Sequence, residues 1–306
     1  MYFLTEEEKK KLLRGVLPKS RRLDVADELR GWNWHMPPLE PPYGIKLALY
    51  EVANSYCPTN RDLYLRRVLG VKLQPNLAML TGKVLHKVLS DCLTNAKKTI
   101  FVNGLKKYQI LSDKMIDSKA YLEEIANNLQ EEERDNLKSK IELLLTFETS
   151  RINARLQEIL SKQPYIGVDA LVAQTIPVVT EQKLDGSFLG LSSNLSSDAF
   201  TFAEPMILDL KFGEPKSFHR LTTTGYAMVT EAVYEHPINV GCLVYAKFTD
   251  DRIIINKDIH IIDDELRQWF IEERDTKMQM IENEMDPGMP ENCSTYCPYY
   301  STCREN

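Results

Sequence analysis

An α+β fold is predicted for this 306-residue chain, and three observations carry the prediction. The first two-fifths place apolar residues at helical spacing. Past residue 170 the texture changes to short runs rich in β-branched and aromatic residues, first three in succession and then a pair. The resulting order is helices, three strands, a helix, a strand pair, a helix and a cysteine-bearing tail, with no internal repeat and no low-complexity stretch.

EEEKKKLLRGVL and DVADELRGW read as short amphipathic helices, and the prolines of HMPPLEPPYG interrupt them as a loop. IKLALYEVANSYC and TNRDLYLRRVLG resume the helical pattern on either side of Pro58, with Thr59 placed to cap the second piece. From Leu77 to about Ile100, Leu80, Val84, Leu85, Val88, Leu89 and Cys92 form one apolar stripe. A more polar region follows, then a long helical pattern over 119–161. ALVAQTIPVVTEQKL, SFLGLSSNLSSDAFTF and MILDLKFG read as three strands separated by turns at Asp185–Gly186 and Glu204–Pro205. A helix is expected over about 215–235. VGCLVYAKF and RIIINKDIHII form a hairpin around Thr249–Asp250–Asp251. A last helix starts at Asp263–Asp264 and stops at Asp286–Pro287–Gly288.

Hydrophobic content of 43% and charged content of 27% describe an ordinary globular protein. The chain is charged within its first six residues, and no window approaches the roughly 18 apolar residues of a membrane span. A cytoplasmic location without membrane association is therefore expected. A net charge of −6 excludes a surface coated in positive charge, but an enzyme on nucleic acid needs only a local basic track. Arg61–Arg66–Arg67–Lys72 and Lys83–Lys87–Lys97–Lys98 are such tracks, and equally read as solvated helix faces.

Two residue groups carry chemistry. In MILDLKFG, strand alternation puts Asp209 and Lys211 on one face, opposite Leu208 and Leu210. A carboxylate and a lysine in an apolar strand are costly to bury unless paired or metal-bound. The plain alternative is a charged pair on a solvated face. A hairpin would bring Asp198 near Asp209. Gly82 and His86 are four apart on the earlier helix, so Gly82 leaves room for an approach to His86. Two aspartates, a lysine and a histidine suit hydrolysis of a phosphodiester assisted by Mg²⁺ or Mn²⁺, with the imidazole favouring Mn²⁺. The second group is Cys293, Cys297 and Cys303, half of the six cysteines, in a tail that should cost entropy to order.

Gly82-x3-His86, Asp198, Asp209-Leu210-Lys211 and a helix carrying Tyr226 together resemble the RecB-like branch of the PD-(D/E)xK nucleases. Enclosure of that core between Cys57 and Cys293-x3-Cys297-Pro-x4-Cys303 is similar to its iron–sulfur members. These include the CRISPR-associated RecB-like exonucleases of spacer acquisition, which the chain resembles most in size and in its LDLKFG strand, and within which it looks like the archaeal subtype I-A paralogue. The resemblance covers about residues 50–306. It implies a restriction-endonuclease-like mixed sheet flanked by helices. The implied organisation is a helical region at 1–165, a nuclease core at 166–285 and a cysteine segment at 286–306 packed on the N-terminal region. His86, Asp198 and Asp209, with the Leu210 carbonyl, would bind the catalytic metal. Lys211 would orient the water as base partner, and Tyr226 would stand near DNA. The implied activity is exonuclease or endonuclease action on DNA ends in CRISPR adaptation, beside the integrase. A repair or recombination exonuclease and a weakly catalytic DNA-binding scaffold for the integrase are the alternatives.

The family's Gln-x3-Tyr stands here as Thr222-x3-Tyr226, and its Gly-x2-Asp as Leu195-x2-Asp198. For the four cysteines the resemblance implies a 4Fe–4S cluster. A zinc ion held by the four thiolates is the alternative. Cys92 and Cys242 read as buried small hydrophobes.

Overall fold

The structure, a computed structural model, describes residues 1–103, 118–123, 129–201, 205–249, 251–293, 295 and 297–305, without the side chains of 118–120 and 305. The expected polar region over 104–117, the turn residue Glu204 and the hairpin residue Asp250 lie outside the described residues.

Helix α1 (Glu6–Lys11) begins with a capping box. The Glu8 amide donates to the Thr5 hydroxyl and the Thr5 amide to the Glu8 carboxylate. A π-helical turn, Leu12–Val16, joins it to α2 (Leu17–Arg22). DVADELRGW, expected as a helix, forms only two 3-10 turns, Asp27–Leu29 and Gly31–Asn33. The expected helix over 45–57 shrinks to α3 (Leu49–Ala53), because Leu47 is taken into a parallel bridge with Leu191. In α4 (Arg61–Arg67) the cap is Asn60, in a left-handed conformation with φ 61°. Thr59 does not cap it: its hydroxyl donates to the Gly288 carbonyl at 2.8 Å.

The expected long helices are α5 (Leu77–Asn103) and α7 (Glu131–Lys162), with α6 (Ser118–Glu123) between them. Residues 170–175, expected as strand, are instead part of α8 (Val168–Thr175). Leu171 and Thr175 of this segment are buried at helical spacing, and Pro177 stops it. Strand β1 (Val179–Leu184) is thus shorter than expected. SFLGL forms a 3-10 turn, Ser187–Leu189, ahead of β2 (Leu195–Thr201). Strand β3 (Met206–Lys211), helix α9 (Arg220–Tyr234), the hairpin β4 (Val240–Phe248) and β5 (Ile253–Ile261), and α10 (Asp264–Glu282) follow the expected order. The Asp263 side chain caps α10 by accepting from the Leu266 amide. A short α11 (Tyr300–Glu305) ends the described chain.

The five strands form one sheet in sequence order. β1–β2, β2–β3 and β4–β5 are antiparallel, while β3–β4 is parallel and needs α9 as its crossover. Alternation divides the sheet into two faces. Ala199, Leu208, Leu210, Val240, Cys242 and Val244 pack with α5, α7 and the first three residues in the larger core. Phe200 and Ile207 pack on the α9 side with Ala227. Buried Glu231 of α9 is gripped by Arg267 of α10 and by Arg30, at 2.7–2.9 Å. Gly31 touches α9 so closely that a Cβ there would fall 1.9 Å from the Met228 carbonyl oxygen.

Candidate active site

The strand signal is realised at the end of β3. The Lys211 ammonium lies 2.9 Å from Asp209 Oδ2. Asp209 is 5% exposed, and its Oδ2 makes this ion pair but no regular hydrogen bond among the described residues. The β2–β3 pairing brings Asp198 in one step beyond the Ala199–Leu208 pair, and the Leu210 amide donates to Asp198 Oδ2 at 2.9 Å. From α5, His86 Nδ1 reaches to 3.4 Å of the same oxygen. A Cβ on Gly82 would meet nothing within 4 Å, so the space one turn before His86 is open. His86, Asp198, Asp209, Lys211 and the Leu210 backbone are therefore brought together. Tyr226, on α9, donates to the Ser196 carbonyl at 2.6 Å, so its hydroxyl is committed to β2.

The electrostatics follow from burial. Burial pushes the Asp198 carboxyl up to about 6; His86 opposes the shift and the nearby Asp209 charge adds to it. For Lys211, burial favours the neutral amine, but Asp209 and Asp198 outweigh it and hold the ammonium above its ordinary range. Lys211 is therefore a fixed positive charge and hydrogen-bond donor, not a proton acceptor.

Several site residues carry no sequence signal strong enough to single them out. Glu181 of β1 lies between the Thr180–Ala199 and Gln182–Ser197 pairs, opposite Asp198. It adopts φ 53°, a left-handed conformation that costs a non-glycine residue on the order of 1–2 kcal/mol. Its carboxylate accepts from the Ser196 hydroxyl at 2.7 Å. The buried Tyr2 phenol is raised by burial first and then by the Asp198 and Asp209 charges. His219, in the 3-10 turn before α9, lies between two tyrosine hydroxyls, Tyr56 at 3.0 Å and Tyr245 at 3.2 Å. Burial and then Lys211 push it down to about 4, so its ring is neutral near pH 7. Glu181 offered only its position on a strand face, and His219 only its place ahead of an apolar helix.

Both basic tracks are largely consumed by the fold. Arg61 makes a two-bond pair with Asp286, at 3.0 and 2.9 Å, and donates to the Cys303 carbonyl. Arg66 pairs with Glu51 at 2.6 Å, and Arg67 donates to the Lys46 carbonyl. Lys97 donates to the Val178 carbonyl, and Lys87 lies over the Tyr121 ring.

The tail packs on α4, where Leu65, Tyr299 and Cys303 form a small buried cluster with Cys297 against it. None of the six cysteines is in a disulfide. Burial raises the Cys297 and Cys303 thiols, and each is raised further by the other cysteines, Cys57 and Cys293 among them. Cys57 and the tail cysteines thus share one neighbourhood. Cys92 and Cys242 are buried in the core with thiols pushed up to about 12, as inert small hydrophobes.

Among the described residues no three His, Cys, Asp or Glu side chains already close to metal-holding geometry. The donor sets nevertheless fit the groups expected of them. The poorly satisfied Asp209 Oδ2 and the crowded Asp198 carboxyl would both be relieved by a cation. The thiolates, disfavoured by burial and by one another, would be stabilised by a soft metal centre. No described helix is long and apolar enough to cross a membrane.

Fold and site define an α+β protein with a carboxylate–lysine–histidine centre at the end of a mixed sheet. All 306 residues match the family described as CRISPR-associated exonuclease Csa1, and the chain belongs to that family. Two relatives bear the same description. The protein of Saccharolobus solfataricus strain P2 is 31% identical over 291 residues, 94% of each chain. That of Thermoproteus tenax strain Kra 1 is 30% identical over 301 residues, 98% of this chain and 99% of its own.

Proposed function

We propose that this chain is a metal-dependent deoxyribonuclease that hydrolyses phosphodiester bonds at DNA ends during CRISPR adaptation, on a PD-(D/E)xK nuclease core. The observation that carries the reading is the convergence of His86, Asp198, Asp209 and Lys211 from three separate elements. The family description, CRISPR-associated exonuclease, supports it. A Mn²⁺ or Mg²⁺ ion held by His86, Asp198, Asp209 and the Leu210 carbonyl would polarise the scissile phosphate and acidify the attacking water. Lys211, its ammonium 2.9 Å from Asp209 Oδ2, would orient that water by donating to it and offset charge developing on the phosphoryl oxygens. Partial burial of Lys211 against the buried Asp209 carboxylate limits the screening of its charge by water. Cys57, Cys293, Cys297 and Cys303 would hold a 4Fe–4S cluster that ties the tail to the segment leading into α4. The integrase of the adaptation machinery is the proposed partner.

End-labelled single- and double-stranded DNA incubated with Mn²⁺ tests the activity. Cleavage is expected from the parent protein and not from Asp209→Ala. Equal cleavage by both, or none by either, would leave a DNA-binding scaffold as the better reading. Iron and sulfide content with visible absorbance, after preparation without oxygen, tests the cluster. Stoichiometric zinc in a colourless protein would replace it by a zinc site of four thiolates.

A further inference from the structure

A chain of three side chains runs from the sheet to the surface beside Lys211. Tyr245 of β4 is the registered neighbour of Lys211 across the parallel pair. Its hydroxyl lies 3.2 Å from His219 Nδ1, and His219 Nε2 lies 3.0 Å from the Tyr56 hydroxyl. His219 is 4% exposed and Tyr56 is 65% exposed, so the chain starts in the interior and ends in solvent. Phe218 packs edge-on against both the Tyr56 and the His219 rings, with centroids 4.9 Å apart in each case. Tyr56 is held from behind as well. Its amide donates to Asn54 Oδ1 at 2.9 Å, and buried Lys277 donates to the carbonyls of Val52 and Asn54, each at 2.8 Å.

The neutral His219 ring lies between two hydroxyls, so one ring nitrogen donates and the other accepts. The tautomer that turns the Tyr56 proton outward accepts from the Tyr245 hydroxyl at Nδ1. A neutral imidazole that accepts at Nδ1 carries its proton at Nε2. Nε2–H then donates to Tyr56, and the Tyr56 proton is turned outward. The register of Tyr245 with Lys211 and the two contacts of His219 put the exposed Tyr56 hydroxyl on the Lys211 side of the sheet end, within reach of the Lys211 charge.

We propose that Tyr56 is a substrate-binding residue that donates its hydroxyl proton to a non-bridging phosphate oxygen of the DNA strand beside Lys211, and that His219 and Tyr245 are positioning residues that fix this proton's direction. The inference rests on the nuclease reading, because it needs a phosphodiester strand at Lys211. A second phosphate contact beside the reacting one would set the register of the strand end without taking part in bond cleavage.

The test measures binding apart from cleavage. Anisotropy of a short fluorescein-labelled single strand is followed in EDTA, with Tyr56→Phe, His219→Leu, His219→Gln and the double variant Tyr56→Phe/His219→Leu. Loss of a hydrogen bond to a charged group should weaken binding about tenfold in Tyr56→Phe. His219→Leu should match it, His219→Gln should recover part of the loss through its side-chain N–H, and the double variant should be no weaker than Tyr56→Phe. With Mn²⁺ present, Tyr56→Phe should raise KM with kcat within about twofold of the parent. Parental binding by Tyr56→Phe, or additive losses in the double variant, would overturn the proposal and leave the nuclease reading standing. A parent protein that neither binds nor cleaves DNA would overturn both.

Discussion

Replacing Glu231 by alanine should cost the protein a large part of its stability. The Glu231 carboxylate, fully buried on α9, accepts five hydrogen bonds: two from Arg267 at 2.7 and 2.9 Å, one from Arg30 at 2.8 Å, and one each from the Gly31 and Ile238 amides at 3.0 Å. After the change, Arg267 keeps its bonds to the Leu29 and Ile238 carbonyls and Arg30 keeps Asn239. Two guanidinium charges then lose their counter-charge, and two buried amides lose their acceptor. Breaking a buried pair on one side costs about 3–5 kcal/mol, against a total stability on the order of 5–15 kcal/mol. At roughly 2 °C per kcal/mol for a chain of this size, the melting temperature should fall by about 6–10 °C. Calorimetry with a urea titration would read this as a lower midpoint at unchanged slope. Val233→Ala, at a 39% exposed position on the same helix, is the control and should move stability by less than about 0.5 kcal/mol. A Glu231→Ala melt within a degree of the parent would refute the reasoning, because it would mean that the buried charges find other partners or water.

Three further outcomes follow from single features. Deleting residues 293–306 removes Tyr299 and Cys303 from the face of α4 and the carbonyl that holds Arg61; the deletion should lower the melting temperature by several degrees, which a thermal melt checks. His219 is depressed from its ordinary 6.5 to about 4 by burial, so the unfolded chain binds the proton first. Stability is then intact above pH 6.5 and lost as pH falls from there toward 4. Denaturant titrations between pH 7 and pH 4.5 should show a loss of about 2–3 kcal/mol in the parent that His219→Gln lacks. Gly82→Ala meets open space and should stabilise α5 by about 0.5–1 kcal/mol, whereas Gly31→Ala, with no room against Met228, should destabilise by about 1–3 kcal/mol; parallel melts should move in opposite directions.

What was legible in advance was what depends on short-range pattern. Strand alternation put Asp209 and Lys211 on one side, and they form an ion pair. The hairpin expectation put Asp198 beside Asp209, and its carboxylate accepts from the Leu210 amide. The stripe of α5 and the Asp263 cap of α10 follow from periodicity and capping chemistry. Expectation and structure part where local pattern is ambiguous. A short apolar run fits a helix turn or a strand, so ALVAQT fits a strand by pattern although it completes α8. Thr59 has the chemistry of a cap, but the Gly288 carbonyl from the other end of the chain claimed its hydroxyl.

The sequence by itself determined the α+β class, the order of strands and helices, and the residue types of the acidic site and the cysteine tail, because each is written in spacing of a few residues. Only the tertiary structure decided which charges remain available. It spent Arg61, Arg66 and Arg67 on internal partners and raised Asp198 by burying it beside Asp209. It also set Glu181 opposite Asp198 in the β1–β2 register, in a left-handed backbone, and joined Tyr56, His219 and Tyr245 from three distant segments. Burial and long-range hydrogen bonding have no period along the chain, so these arrangements arise only when the folded segments meet.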